Sequence, residues 1–263
     1  MVDYGRDVGL ERALARGSHH CYGMGLGILI LDDIYPGFPG DVRNASAYPF
    51  PIQFEVVEGV DNHQLCDVED KSACWPPILN AAKRLERLGC RAIAGECGLF
   101  AYFQQELAEQ VSIPVFMSSL LQVPWAQSLV GSKRRVGILT GASKTLTDHH
   151  LESVGVTIGS NYVLLDVYDK EPDLEFLKLW STMGRRSDPP SADYHRAERQ
   201  MVEICIAYVR ENADLGALVL ECTGYPPFAR AIQRAIDLPV FSWGTLLDYA
   251  YSVVVHRDFY GHV

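Results

Sequence analysis

Sliding this chain along itself by 222 − 97 = 125 residues aligns residues 94–121 with 219–246 without a gap. Seven of the 28 pairs are identical: Glu96/Glu221, Cys97/Cys222, Phe103/Phe228, Pro114/Pro239, Val115/Val240, Phe116/Phe241 and Leu121/Leu246. Ordinary residue usage gives about two. In each copy an apolar run ends at Glu-Cys, turns, and opens a helix. A duplication of this kind confines the chain to two similar lobes, with one cysteine at the same strand-to-helix corner of each.

The flanking pattern names the lobes. Residues 26–31 and 52–57 read as strands, 76–88 as a helix with Ile78, Leu79, Ala82, Leu85 and Leu88 on one face and Gly89 as its stop. A strand over 91–95, a helix over 100–110 and a strand over 115–117 complete the first half. The second half repeats the plan, with strands over 135–139, 162–167, 217–220 and 238–242. Its helices open near Asp148, run over 196–212, follow Pro226-Pro227 to Ile236, and close over 246–255. Alternation of this sort means parallel strands with crossover helices. The expected fold is therefore α/β, two pseudosymmetric lobes, each a mostly parallel sheet flanked by helices, with the active site in the cleft between them. The boundaries read as an N-terminal extension over 1–24, a first lobe over 25–121 that takes back 245–263, and a second lobe over 122–244. The extension shows helical spacing around 10–14, and 184–193 reads as an exposed loop.

Charge and cysteine usage narrow the function. A net charge of −10 argues against a nucleic-acid or anionic-membrane surface. No stretch reaches the ~18 uninterrupted apolar residues of a membrane span, and the acidic first residues lack a signal-peptide pattern. Seven cysteines without framework spacing suit free thiols in a reducing compartment, so a cytoplasmic location is expected. Gly23, Gly25 and Gly27 precede their strand, whereas a dinucleotide fingerprint follows one. The histidines, including the adjacent pairs His19-His20 and His149-His150, do not space as metal ligands. No metal and no cofactor is expected.

A thiol at a helix N-terminus is held as thiolate near neutral pH by unpaired N–H groups and the positive end of the helix. Two such thiols, Cys97 and Cys222, on opposite walls of a cleft suit proton transfer at carbon: one removes a proton beside a carboxylate, the other delivers one to the opposite face. Such a site also needs donors for the charge that builds up on the carboxylate. The candidates are Asn44 in the long loop after the first strand, Gly98, Thr223 and Gly224 at the corners, and Thr140, Ser143 and Thr145 between strand and helix. The last three form either an anion cradle or the lead-in to an N-cap at Thr147 or Asp148. Cys21, Cys66, Cys74, Cys90 and Cys205 have no counterpart across the duplication and read as structural. A carboxylate beside a thiol opposes thiolate formation. Strand alternation turns Glu96 and Glu221 from the cleft, towards a backbone N–H or an arginine, and a structural role is preferred to a catalytic one.

On these residues the chain resembles the aspartate/glutamate racemase superfamily, whose amino-acid and hydantoin racemases, maleate isomerases and arylmalonate decarboxylases work without pyridoxal phosphate. The resemblance spans about residues 25–255, through both cysteine corners, the Gly-Ile-Leu runs at 27–29 and 137–139, and the duplication. Cys222-Thr223 matches the second Cys-Thr motif, and Glu221-Cys222-Thr223 is similar to the aspartate racemase version. At the first corner Gly98-Leu99 stands where the racemases have Asn-Thr. That removes an amide and a hydroxyl that would hold an amino acid's carboxylate. The chain also resembles algal-type dimethylsulfoniopropionate lyases, which use a cysteine to remove an α-proton and expel a β leaving group. The resemblance implies a small-molecule carboxylate as substrate and suggests a homo-oligomer. Cofactor-independent racemisation is the preferred expectation, β-elimination releasing acrylate and dimethyl sulfide the alternative. A non-catalytic module that binds a small acid is a second alternative.

Overall fold

The computed structural model describes residues 21, 23–180, 190–257 and 259. Almost all of the extension over 1–24 and most of the loop over 184–193 lie outside the described residues. Two four-stranded sheets, every strand pair parallel, carry the fold. The first is built from β1 (Leu26–Leu31), β2 (Ile52–Val57), β3 (Ala92–Gly95) and β4 (Val115–Phe116), in the order β2-β1-β3-β4. The second is built from β5 (Arg135–Thr140), β6 (Tyr162–Asp166), β7 (Leu215–Leu220) and β8 (Val240–Phe241), in the matching order β6-β5-β7-β8. The lobes are pseudosymmetric, and the 125-residue shift survives in three dimensions. Helices α2 (Gln104–Gln110) and α6 (Ala229–Ile236) open 229 − 104 = 125 residues apart, and β4 and β8 start 240 − 115 = 125 apart.

Side-chain alternation distributes the core. β1, β3, β5 and β7 are apolar along almost their whole length because both faces of each sheet are covered. On one face of the first sheet α1 (Trp75–Leu88) buries Ile78, Ala81, Ala82 and Leu85. Pro76-Pro77 stand in its first turn and Gly89, at φ 101°, ends it in the left-handed region. The core there runs on through Leu29, Ile93 and Phe100 to Val136, Ile138 and Val219 of the second lobe, so one apolar layer bridges the lobes. On the other face α7 (Trp243–Val254) returns to the first lobe and packs Trp243, Leu246, Leu247 and Ala250 on Leu26, Ile28, Ala92 and Ala94. Helices α5 (Tyr194–Glu211) and α6 cover the outer face of the second sheet. Burying each large apolar side chain contributes about 1.5–3 kcal/mol.

Two readings of the sequence shift, and one helix is added to them. The expected helix after Cys97 is a 3-10 stretch, Gly98–Phe103, before α2 begins, and Pro226–Phe228 likewise precedes α6. Helix α3 (Gln122–Val130) was not anticipated: it buries Val123 and Ala126 but exposes Trp125 and Leu129, so its sequence shows no clean apolar stripe. It joins the lobes with α7. Gln122 Nε2 donates to the Ser242 carbonyl at 2.9 Å, and Thr245 Oγ1 donates to Gln122 Oε1 at 2.7 Å. Helix α4 (Asp148–Ser153) opens where expected, with Thr147 as its N-cap, whose N–H donates to His150 Nδ1 at 3.1 Å.

Candidate active site

β3 and β7 end at the two Glu-Cys corners, and both corners open on one cavity of about 640 Å³ between the lobes. Cys97 and Cys222 line it, as do Gly98, Ser143, Thr145 and Thr223. Asn44, Thr140 and Gly224 do not. Asn44 Oδ1 accepts from the Ser46 N–H at 3.2 Å and its Nδ2 donates to the Gly37 carbonyl at 3.3 Å, which pins the neck of the loop after β1. Thr140 is fully buried behind the wall. Gly224 sits behind Trp180, whose ring leaves a Cβ at 224 only 2.8 Å.

The Thr140–Thr145 turn is not an idle cradle. The Ser143 N–H (3.2 Å) and hydroxyl both donate to Asp166 Oδ2, and the Ala142 N–H donates to Thr140 Oγ1 at 2.9 Å. Those donors are already spent on protein acceptors, whereas the Thr223 hydroxyl is not. It is buried beside Cys222, on a residue that lines the cavity, and has no hydrogen-bond partner among the described residues. A buried hydroxyl left unpaired loses about 1–3 kcal/mol, which a ligand oxygen would restore.

The loop after β1 roofs the cavity. Tyr35 places its ring 5.3 Å from that of Trp180, with the Arg43 guanidinium 4.5 Å from the ring centroid. Phe38 reaches the second lobe, 5.2 Å from Tyr194 and 6.1 Å from Phe228. Gly40, at φ 108°, passes so near Pro227 that a Cβ would come within 3.1 Å of its nitrogen.

Both glutamates line the cavity, contrary to the expectation that they turn away from it. Each follows the strand end, where the chain leaves the pleat and strict alternation no longer applies. Glu96 is paired as the sequence reading anticipated, with a backbone N–H and an arginine. It accepts from Leu31 N at 2.9 Å, from the Tyr35 hydroxyl at 2.7 Å and from Arg43 Nη2 at 3.1 Å. Glu221 is held by Thr140 Oγ1 at 2.9 Å, and burial pushes it up to about 7, with Asp166 adding to the rise and the Thr140 bond opposing it.

The thiols are not resting thiolates. Cys97 is pushed well above the ordinary thiol range, first by its contact with Cys66, then by burial and the charges of Glu221 and Glu96. Burial, then Glu221, does the same to Cys222, opposed by the Gly224 N–H. Desolvation outweighs the short helix ends. Cys66, read from the sequence as structural, lines the cavity with its Sγ 4.0 Å from Cys97 Sγ and accepts from Asn62 Nδ2 at 3.3 Å.

The profile of the Asp/Glu/hydantoin racemase family matches residues 54–246, a span that contains both corners. The chain belongs to that family. Curated relatives include a dimethylsulfoniopropionate lyase from Durusdinium sp. clade D, 28% identical over 89% of this chain and 73% of the relative. Dimethylsulfoniopropionate lyase 3 of Emiliania huxleyi (strain CCMP1516) is 28% identical over 82% of this chain, which spans only 56% of that protein. Solved structures of the same fold include an unliganded arylmalonate decarboxylase (TM-score 0.53, 12% identity, 88% of this chain and 92% of that one). An aspartate racemase homologue from Pyrococcus horikoshii OT3 gives a TM-score of 0.52 at 17% identity, over 86% of this chain and 98% of that one.

As a member of the Asp/Glu/hydantoin racemase family, the chain is an enzyme of a class that acts on small carboxylates. Gly98 stands where the resemblance puts the asparagine of a Cys-Asn-Thr corner, and a Cβ there would overlap Glu221 Oε1 from the other lobe. Several cavity residues escaped the sequence reading. Asp33 and Tyr35 sit in the same long loop after the first strand as Asn44, whereas Cys66, Asp166, Tyr168 and Trp180 carry no local signal and are assembled only by the fold. Among the described residues no His, Cys, Asp or Glu group is placed to hold a metal ion, and no helix is long and apolar enough to cross a membrane.

Proposed function

We propose that this chain is a cofactor-independent lyase that removes the proton α to a carboxylate and expels a positively charged β substituent, as in dimethylsulfoniopropionate. One observation carries the reading. Among the described residues the cavity presents six acidic residues (Asp33, Asp67, Glu96, Asp166, Asp169 and Glu221), of which Glu96 is paired with Arg43, against a single lining lysine, Lys144, together with the rings of Tyr35, Tyr168, Phe176, Trp180 and Tyr225. Aspartate or glutamate, each with two carboxylates, is repelled by such a wall. A sulfonium or quaternary ammonium group is attracted to it, by carboxylate charge and by ring faces. The lyase relatives support the same choice.

In this scheme the onium group lies against the rings and its carboxylate faces the Thr223 hydroxyl. One of Cys97 and Cys222 takes the α-proton as thiolate, and the other stays protonated on the opposite side as a hydrogen-bond donor. The electron pair of the Cα–H bond forms the Cα–Cβ double bond while the Cβ–sulfur bond breaks, giving acrylate, dimethyl sulfide and one proton. Ser143 and Thr145 shape the rim, and Gly98 leaves room for Glu221. Asn44, Thr140 and Gly224 act by holding other groups. Racemisation is the second reading, favoured by the thiols from both corners lining one cavity. Incubation with dimethylsulfoniopropionate, aspartate and glutamate, followed by headspace gas chromatography and chiral chromatography, separates them. Dimethyl sulfide supports the lyase. Loss of optical activity without alkene supports the racemase, and binding without turnover of any of the three supports the non-catalytic module.

A further inference from the structure

The two duplicated glutamates are held in unlike ways. Glu96 has a guanidinium, a phenol and a backbone N–H. Glu221 is 3% exposed, and among the described residues its side chain takes one hydrogen bond, from Thr140. The charged and titratable groups that face it are Asp166 at the end of β6, Cys222 at its own corner, Cys97 from the opposite corner, and Tyr225. None is a cation. Its Oε1 crosses to the first lobe and lies against the backbone of Gly98, next to Cys97. Glu221 thus precedes Cys222 in its own corner and reaches the residue after Cys97 in the other, in the space that a side chain at 98 would take.

Both thiols rest protonated in this site, so elimination needs a group within the cavity that takes a proton from one of them. We infer that Glu221 takes that proton, so that one negative charge is shared between its carboxylate and the attacking cysteine. Cys–SH and Glu221–COO⁻ become Cys–S⁻ and Glu221–COOH, with no change in the net charge of the site. The thiolate removes the α-proton and becomes thiol again, the alkene forms as the leaving group departs with its bonding pair, and Glu221–COOH yields its proton to solvent. That is the one proton that elimination releases. Glu221 touches no substrate atom in this sequence and acts through the thiols. The inference rests on the reading of the cavity as a site of thiolate chemistry, and Thr140 serves as the donor that keeps the carboxylate accessible.

The test is the rate of iodoacetamide alkylation at Cys97 and at Cys222, read peptide by peptide by mass spectrometry from about pH 5.5 to 10. It uses the full chain without substrate, so it stands apart from the lyase assay. The wild type is expected to show two steps in at least one thiol. The first follows Glu221 ionisation and reaches a plateau, because a shared proton fixes the thiolate fraction; the second belongs to the doubly ionised pair. Glu221→Gln is expected to lose the first step and to titrate once, and Glu221→Asp to keep two steps. Thr140→Val, which removes the donor, is expected to move the first step to higher pH. Superimposable single-step profiles in wild type and Glu221→Gln overturn the inference. So does a first step that Thr140→Val leaves in place. A two-step profile with no elimination activity on any onium carboxylate removes the lyase reading and leaves the shared proton standing.

Discussion

Glu221 Oε1 fills, from the second lobe, the volume that any side chain at residue 98 of the first lobe would need. The two positions share one volume, so a side chain added at residue 98 has to displace the Glu221 carboxyl. Gly98→Ala is expected to cost about 1–3 kcal/mol of stability through overpacking. Glu221→Ala in the same chain is expected to recover most of it, which a double-mutant cycle of denaturant unfolding measures as a favourable coupling of about 1 kcal/mol or more.

Glu221 also sets a pH dependence of stability. Its folded pKa, about 7, lies above the ordinary 4.5. The folded state therefore binds the proton more tightly, and the associated stability is present below about 4.5 and lost as pH rises to 7. The 2.5-unit difference corresponds to about 3 kcal/mol as an upper figure. Asp41, pushed up to about 7 by burial, slopes the same way. Urea unfolding of Glu221→Gln between pH 5 and 7 is expected to show a shallower decline than the wild type, and an unchanged slope would place the buried proton elsewhere.

Cys66 holds Cys97 protonated through their 4.0 Å contact. Cys66→Ala removes that partner, so Cys97 is expected to react faster with iodoacetamide at pH 8, while Cys222 changes little. A slower Cys97 would mean that Cys66 assists thiolate formation instead.

The ring of Trp180 backs Tyr35 across the lobes. Trp180→Ala is expected to raise KM for an onium carboxylate by about 2- to 30-fold, the range of one cation–π contact, with kcat reduced less. The comparison that isolates the charge is an isosteric neutral thioether carboxylate used as competitive inhibitor, whose affinity the substitution should alter little.

The architecture was legible because its signals are local or repeated. Continuous apolar strands, Gly89 as a helix stop, and the aligned corners give two parallel sheets, and matched Glu-Cys pairs bring Cys97 and Cys222 to one cavity. The rest of the site was hidden because proximity across lobes leaves no trace in spacing. Cys66 lies in a short stretch after β2 with no periodicity, and Trp180 follows a 3-10 segment that ends far from any motif. The protonation of the thiols was misjudged for a similar reason. Helix ends can be read from sequence, but the desolvation and the facing carboxylates that outweigh them cannot. Thr140 and Ser143 were drawn to the site by residue type, yet their hydroxyls are committed to Glu221 and Asp166.

The central claim is that Cys97 and Cys222 act together on the α-carbon of an onium carboxylate. Proton NMR of dimethylsulfoniopropionate incubated in D2O with the wild type, Cys97→Ser and Cys222→Ser tests it most directly. The account predicts acrylate from the wild type and a loss of about 100-fold or more in each variant, in keeping with removal of a general acid or base. Acrylate at wild-type rate from both variants would contradict it, as would α-deuterium accumulating in aspartate or glutamate with no alkene formed from the onium substrate.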